Sequence, residues 1–427
     1  MEDFFGCLLL VYILYVLMSY VMSSEKLLSP SMVFTSSFTF MLVLAYGFKN
    51  ILGFSVNELT FQVLALGGFI FIATECCVKL FLSSSKNRNE IALSSSSSAP
   101  IIISDRIIYF FMAYIFIAMI FTVYVFCINT GGESFALRMM QYRMNILYHS
   151  DQIEGIFFVS QLYKLNKSIA YFVAYIFIYN WVICGIKLKE QFKYVIIMML
   201  FCVSSVFSNA ARQPIIEIIL FLPLVYFSLS RCDLRKKINF KKMIVGVVLL
   251  GIAFYYSSSS VGRPETQRWL LEYIAVYFCG GLYSFNLHIF EPARNAYWGQ
   301  ATFSDIYNPL IKWGIVSEDA DAHYHAFDLY GNTVTLFGRW YEDFGQIGVY
   351  IMSLLVSMFF SILFYRKIMV KTNSLKEYHF DRFIYCKCII ALVWAGYDDR
   401  VRALLSMDMA VFVVVTMILW KIFVVQK

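Results

Sequence analysis

Long apolar runs separated by short polar breaks set the rhythm of this chain. Stretches of about 17–23 residues, enough to cross roughly 30 Å of hydrocarbon at 1.5 Å per residue, fall near 4–22, 29–48, 59–82, 107–128, 168–186, 194–208, 214–230, 243–260, 345–365, 383–397 and 404–422. The pattern predicts an all-α, polytopic integral membrane protein with about 11 (10–12) transmembrane helices. It forms one membrane domain over 1–427. The first run, "MEDFFGCLLLVYILYVLMSYVM", lacks a basic flank and an A-x-A-like cleavage site, so it is expected to be a retained span. A Ser-rich stretch, "LSSSSSAP" at 93–100, is expected to be a flexible link, and no internal repeat emerges.

The breaks between runs are not equivalent. Segments 23–28, 83–106, 187–193, 231–242, 366–382 and 421–427 hold 20 Lys and Arg, whereas 49–58, 209–213 and 398–402 hold 4. The first set is expected on the cytoplasmic side. Two long connections, 129–167 and 261–344, then fall outside together with Arg212. One apolar stretch, 269–290, does not fit a simple crossing, because counting it would turn the basic 366–382 segment outward. With Glu272, Gly280, Gly281, Asn286 and His288 in it, the stretch is expected to be an interfacial or re-entrant helix within the large outer loop.

Composition agrees with this class: 60% of residues are hydrophobic and 15% charged, too apolar for one water-soluble core. The net charge of +7 is mostly the inner-face anchor, and no basic patch or fold cue points to nucleic acid. The ten cysteines lie mostly within apolar runs without a CxxC pair, which supports neither a disulfide framework nor a zinc site.

Candidate chemistry gathers at the predicted outer breaks. In "SSVFSNAARQPIIEIIL" an arginine, Arg212, stands in a short gap between two spans. Its planar fork of donors suits phosphate oxygens; the alternative is interfacial snorkelling or a pair with Glu217. "SSSSVGRPETQRW" follows with Arg263, Glu265 and Arg268, which form either part of a diphosphate site or a solvated turn with an Arg268–Glu272 pair. Residues 317–350 bring His323, His325, Asp328, Arg339, Glu342 and Asp343, including side chains whose basicity burial can tune for proton transfer. The His-x-His beside Asp319 and Asp321 is a weak metal signal, and no metal or cofactor is expected. The 261–344 loop holds ten acidic against five basic residues, so anion recognition there must come from a few placed arginines. Leu137, Met140, Met144 and Leu147 recur at helical spacing and predict an amphipathic helix resting on the membrane. Glu75 with Lys79, Lys387, and "DDRVR" at 398–402 are read as structural.

With those segments in view, the chain resembles the Wzy-type O-antigen polymerases, oligosaccharide repeat-unit polymerases of bacterial inner membranes. The resemblance is carried by "LLSPSMVF", "SNAARQP", "SSSVGRPETQRWLLEYIAVYFCGGLYSFNLH" and "GNTVTLFGRWYEDFGQIGVYIM". It implies a GT-C-like fold and transfer of a growing polysaccharide from undecaprenyl diphosphate onto a lipid-linked repeat unit at the periplasmic face. It implies membrane lipid and a chain-length regulator as further partners. Carried onto this sequence, Arg212, Arg263, Arg339 and Asp343 match family positions. Arg212 and Arg263 are then expected on the diphosphate with Arg268 or Arg339 assisting, and one of Asp343, His325 or Glu265 is expected as base. The paired R-x10-G motif of some members is absent, since Pro223 stands eleven residues beyond Arg212. An O-antigen ligase or related lipid-linked glycan transferase shares the large outer loop and arginines. A repeat-unit flippase would have short loops on both sides.

Overall fold

In the computed structural model the residues described are 3–23, 27–84, 99–131, 134–148, 153–209, 212–229, 270–290, 298–317, 334–368 and 375–425. Among them no strand occurs. The helices are α1 Phe5–Met22, α2 Pro30–Gly47, α3 Lys49–Leu52, α4 Glu58–Ser84, α5 Asp105–Ile128, α6 Phe135–Tyr148, α7 Ile156–Val182, α8 Phe192–Asn209, α9 Gln213–Leu229, α10 Leu270–His288, α11 Ser304–Lys312, α12 Leu336–Leu363, α13 Leu375–Cys388, α14 Ile390–Val393 and α15 Met407–Trp420. Seven helical stretches among the described residues are long and apolar enough to cross a membrane, which makes this a multi-pass membrane protein. The predicted span at 243–260 lies outside the described residues. Two compact units form the chain, Met1–Ser94 with Arg268–Ala410 and Ser95–Gln267 with Val411–Lys427.

The first unit is tied together at both ends of α2. At its start, Ser29 caps the helix by accepting from the Met32 N–H at 3.3 Å, and Pro30 takes the first helical position. The Ser31 N–H donates to Glu75 Oε2 at 2.6 Å and the Tyr365 hydroxyl donates to Oε1 at 2.9 Å. Glu75 therefore fastens α4 to the beginning of α2 and to the segment following α12. Lys79 donates to the Met22 carbonyl. Towards the other end, the Asn57 N–H donates to Asn286 Oδ1 at 3.0 Å and Asn57 Nδ2 to the Asn286 carbonyl at 3.1 Å, while Asn286 Nδ2 donates to the Ser55 carbonyl. The 269–290 element is thus anchored at its end, and it climbs beside α2: Phe278 meets Phe40, Cys279 faces the Met41 carbonyl and Tyr283 meets Phe54.

Two segments of this unit are interrupted. In α12 the backbone breaks at Gly345, with φ 65° and ψ −165°. A methyl group on Gly67 would meet Phe337 at 3.1 Å and Val349 at 3.3 Å, so both arms of α12 reach the same turn of α4. In an unbroken helix those two residues, twelve apart, would be separated by about 18 Å. The predicted span 383–397 is likewise not one helix. It divides into α13 and the four-residue α14, and 394–397 continues as turns. Here Ser37 Oγ donates to the Val393 carbonyl at 2.7 Å, and a Cβ on Gly396 would stand 3.2 Å from the Ser37 carbonyl. The second interruption lies near the middle of α2, where Phe337 from the first arm of α12 also packs on Phe38 with ring centroids 5.2 Å apart. Irregular backbone at such depth is tolerated where protein covers it.

In the second unit α7 is the central helix. Every residue from Ser168 to Asn180 is buried, which fits a segment that is apolar nearly all round. Tyr171 packs on Phe201, Phe221 and Phe412, and Phe172 and Tyr175 pack on Trp420. The helix begins at Ile156, twelve residues before the predicted span, so the first long connection is mostly helical. The predicted amphipathic helix is α6. Met139 and Tyr142 are buried against Val125, Phe126 and Val159, while Leu137, Met140 and Met144 face outward.

Candidate functional site

A polar cluster sits in the first unit where the broken elements meet. Thr335 caps α12, accepting from the Gly338 N–H at 3.2 Å, and the Leu336 N–H donates to the Ala395 carbonyl at 3.0 Å. This joins the start of α12 to the end of the apolar run 389–397. One turn into α12 stands Arg339, 2% exposed beside the fully buried Phe337 and Trp340. The charges acting on it come from Arg402, Asp398, Asp399 and Glu342.

Beyond the run the chain turns through "DDRVR". Asp399 is fully buried; its Oδ1 accepts the Val401 N–H at 2.9 Å and the Arg402 N–H at 3.4 Å. Among the described residues its Oδ2 has no hydrogen-bond partner. Asp398 pairs with Arg400 at 2.7 Å. Arg402 Nη1 donates to Ser304 Oγ at 2.6 Å and stands 3.8 Å from Asp305, while its Nε reaches the Asp399 carbonyl at 3.4 Å. Burial pushes the Asp399 carboxyl up to about 6, against the stabilising charges of Arg402 and Arg339. Arg402 and Asp305 keep about a fifth and a quarter of their side chains exposed, so the cluster has an open rim over a buried carboxylate.

The third wall is the segment 298–305. The Ala301 and Thr302 N–H groups donate to the two carboxylate oxygens of Asp343, at 3.0 and 2.6 Å. Asp343 thereby holds this segment against the first arm of α12. Thr302 Oγ1 is buried and, among the described residues, without a hydrogen-bond partner.

Of the residues singled out in the sequence, Arg339 and Asp343 are both in this unit, the former in the cluster and the latter in its wall. Arg212 belongs to the second unit: it is 7% exposed, and its carbonyl accepts the Ile215 and Ile216 N–H groups at the start of α9. There Glu217 takes hydrogen bonds from Gln213 at 2.5 Å and from Tyr171 at 3.4 Å. Arg263, Arg268, Glu265 and His325 lie outside the described residues. The members that sequence reasoning passed over are Asp399 and Arg402. Their one signal was a pair of aspartates directly after an apolar run, and both signs of charge in one short turn made it look self-neutralising.

Two guanidinium groups around one carboxylate can bind an anion and accept a proton in the same place. Comparison with family models, with curated proteins and with solved structures finds no match for this chain.

Proposed function

We propose that the protein is an O-antigen polymerase of the Wzy type, a glycosyltransferase of the bacterial inner membrane acting at its periplasmic face. The donor is a polysaccharide on undecaprenyl diphosphate and the acceptor a lipid-linked repeat unit. The observation that carries this reading is the gathering of Arg339, Arg402 and Asp399 where two interrupted helical elements of a membrane bundle meet. Diphosphate is a good leaving group, so the transfer needs chiefly cations that hold it, compensation of the charge that develops, and alignment of an acceptor hydroxyl. Arginine's fork offers paired donors to phosphate oxygens. Arg339 and Arg402 take that role in this unit, Arg212 and Arg263 remain the diphosphate ligands that the family resemblance implies, and Arg268 remains a further candidate from the sequence.

Deletion of the gene tests the reading. Lipopolysaccharide from the deletion strain should carry a single repeat unit on the lipid A core, with the full ladder restored by complementation. A core carrying no repeat unit would identify a ligase instead.

A further inference from the structure

The polymerase reading leaves open which group takes the proton from the attacking sugar hydroxyl. The cluster supplies a candidate outside the residues that the sequence proposed. Asp343 has both oxygens engaged by backbone N–H groups of 301 and 302, the geometry of a clamp. Asp399 differs. Only its Oδ1 is held, by the N–H groups of Val401 and Arg402, and Oδ2 sits fully buried without a hydrogen-bond partner among the described residues. A carboxylate oxygen without a donor is costly inside a protein unless a ligand supplies one. Two other side-chain atoms of this unit repeat the pattern: Thr302 Oγ1 and Trp394 Nε1 are also buried and without partners among the described residues.

Arg402 stands between the buried Asp399 carboxylate and the exposed rim in its contacts: its Nε reaches the Asp399 carbonyl at 3.4 Å, and its Nη1 is held by Ser304 and lies near Asp305. A diphosphate carries more negative charge than Asp305 and offers more acceptors than Ser304, so it competes for the same guanidinium.

We propose that Asp399 Oδ2 accepts the proton of the acceptor hydroxyl, and that Arg402 uncovers it by exchanging Ser304 and Asp305 for the donor's diphosphate. In the step, the hydroxyl oxygen bonds to the donor's anomeric carbon as the bond from that carbon to the phosphate oxygen breaks. The diphosphate leaves with the electron pair, held by Arg402 and Arg339, and the proton passes to Asp399. The state required before reaction is the ionised carboxylate. Its raised proton affinity places that requirement near pH 6, in a setting made by Arg402, Arg339, Asp398 and the Val401 N–H.

This inference rests on the polymerase reading, and one experiment separates the two. The full-length protein in lipid nanodiscs is given undecaprenyl-diphosphate-linked repeat units extracted from the deletion strain. Wild type should build a ladder and release undecaprenyl diphosphate; a wild type that extends nothing overturns the polymerase reading and this inference with it. Given an active wild type, Asp399→Asn should lower kcat by about 100-fold or more, with KM for the donor within about threefold. Wild-type kcat should also fall about tenfold per pH unit below about 6. Asp399→Asn turnover within threefold of wild type overturns the inference alone. If that variant fails to accumulate, a wild-type kcat that is flat between pH 5 and 8 does the same. The uncovering step has its own readout, labelling of Asp399 by an apolar carbodiimide followed by peptide mass spectrometry. Added undecaprenyl diphosphate should raise the labelling at least threefold, and unchanged or reduced labelling removes Arg402 from the role of cover.

Discussion

The Leu336 N–H donates to the Ala395 carbonyl at 3.0 Å, and this one bond ties the start of one broken element to the end of another. The first N–H groups of a helix have no partner within it, and here one of them is satisfied by a carbonyl from a run that has stopped being helical. The first arm of α12 is therefore fastened to the turns that end the 383–397 run. This sets Arg339 beside the turn that carries Asp399 and Arg402.

Gly345 is where α12 breaks, and its φ of 65° with ψ of −165° is a conformation open essentially to glycine alone. Gly345→Ala should cost about 1–3 kcal/mol. It should also reduce polymer formation, because Phe337 and Arg339 ride on the arm that the break positions. Thermal unfolding in detergent, read beside chain-length ladders, checks both; unchanged values in each would show that the break does not set the site.

Asn286 holds the end of α10 through three hydrogen bonds shared with Asn57 and Ser55. Asn286→Ala leaves the Asn57 N–H and the Ser55 carbonyl without their partner. The expected loss is about 1–3 kcal/mol, with Asn286→Asp milder because it keeps the acceptor. Equal unfolding midpoints for wild type and the alanine variant would deny the anchor.

Burial raises the Asp399 carboxyl to about 6 from the ordinary 3.8, so the folded protein binds this proton more tightly than the unfolded chain does. The resulting stability is complete below the unfolded value and is lost as pH rises through about 6. Unfolding midpoints of the wild type should therefore decline from about pH 4 to about pH 6 and level off above that, and Asp399→Asn should flatten the decline. Identical slopes in the two proteins would assign the decline to another group.

Arg212 is nearly buried at the start of α9, and the family resemblance gives it a place on the diphosphate. Arg212→Ala should abolish long chains while protein abundance stays at the wild-type level, as immunoblots beside lipopolysaccharide gels would report. A normal ladder from a well-expressed variant would remove Arg212 from the reaction.

The apolar rhythm of the chain determined its class and most of its long helices, because hydrocarbon demands length, apolarity and closed backbone hydrogen bonding from any segment that crosses it. Those demands are written residue by residue, which is why α1, α2, α4 and α5 begin and end close to their predicted limits. The stripe of Leu137, Met140 and Met144 was legible for the same reason, since one turn of helix is a local property. The division of 383–397 was not. It depends on Ser37 and Phe38, more than 300 positions earlier, meeting Val393 and Gly396. Nor did one dimension distinguish Asp399 from Asp398, adjacent and chemically identical. Only packing leaves the second paired with Arg400 and the first wholly enclosed with one oxygen unmatched. A run of side chains dictates what can enter the bilayer, but which charged group loses its water is decided by the neighbours that folding brings to it.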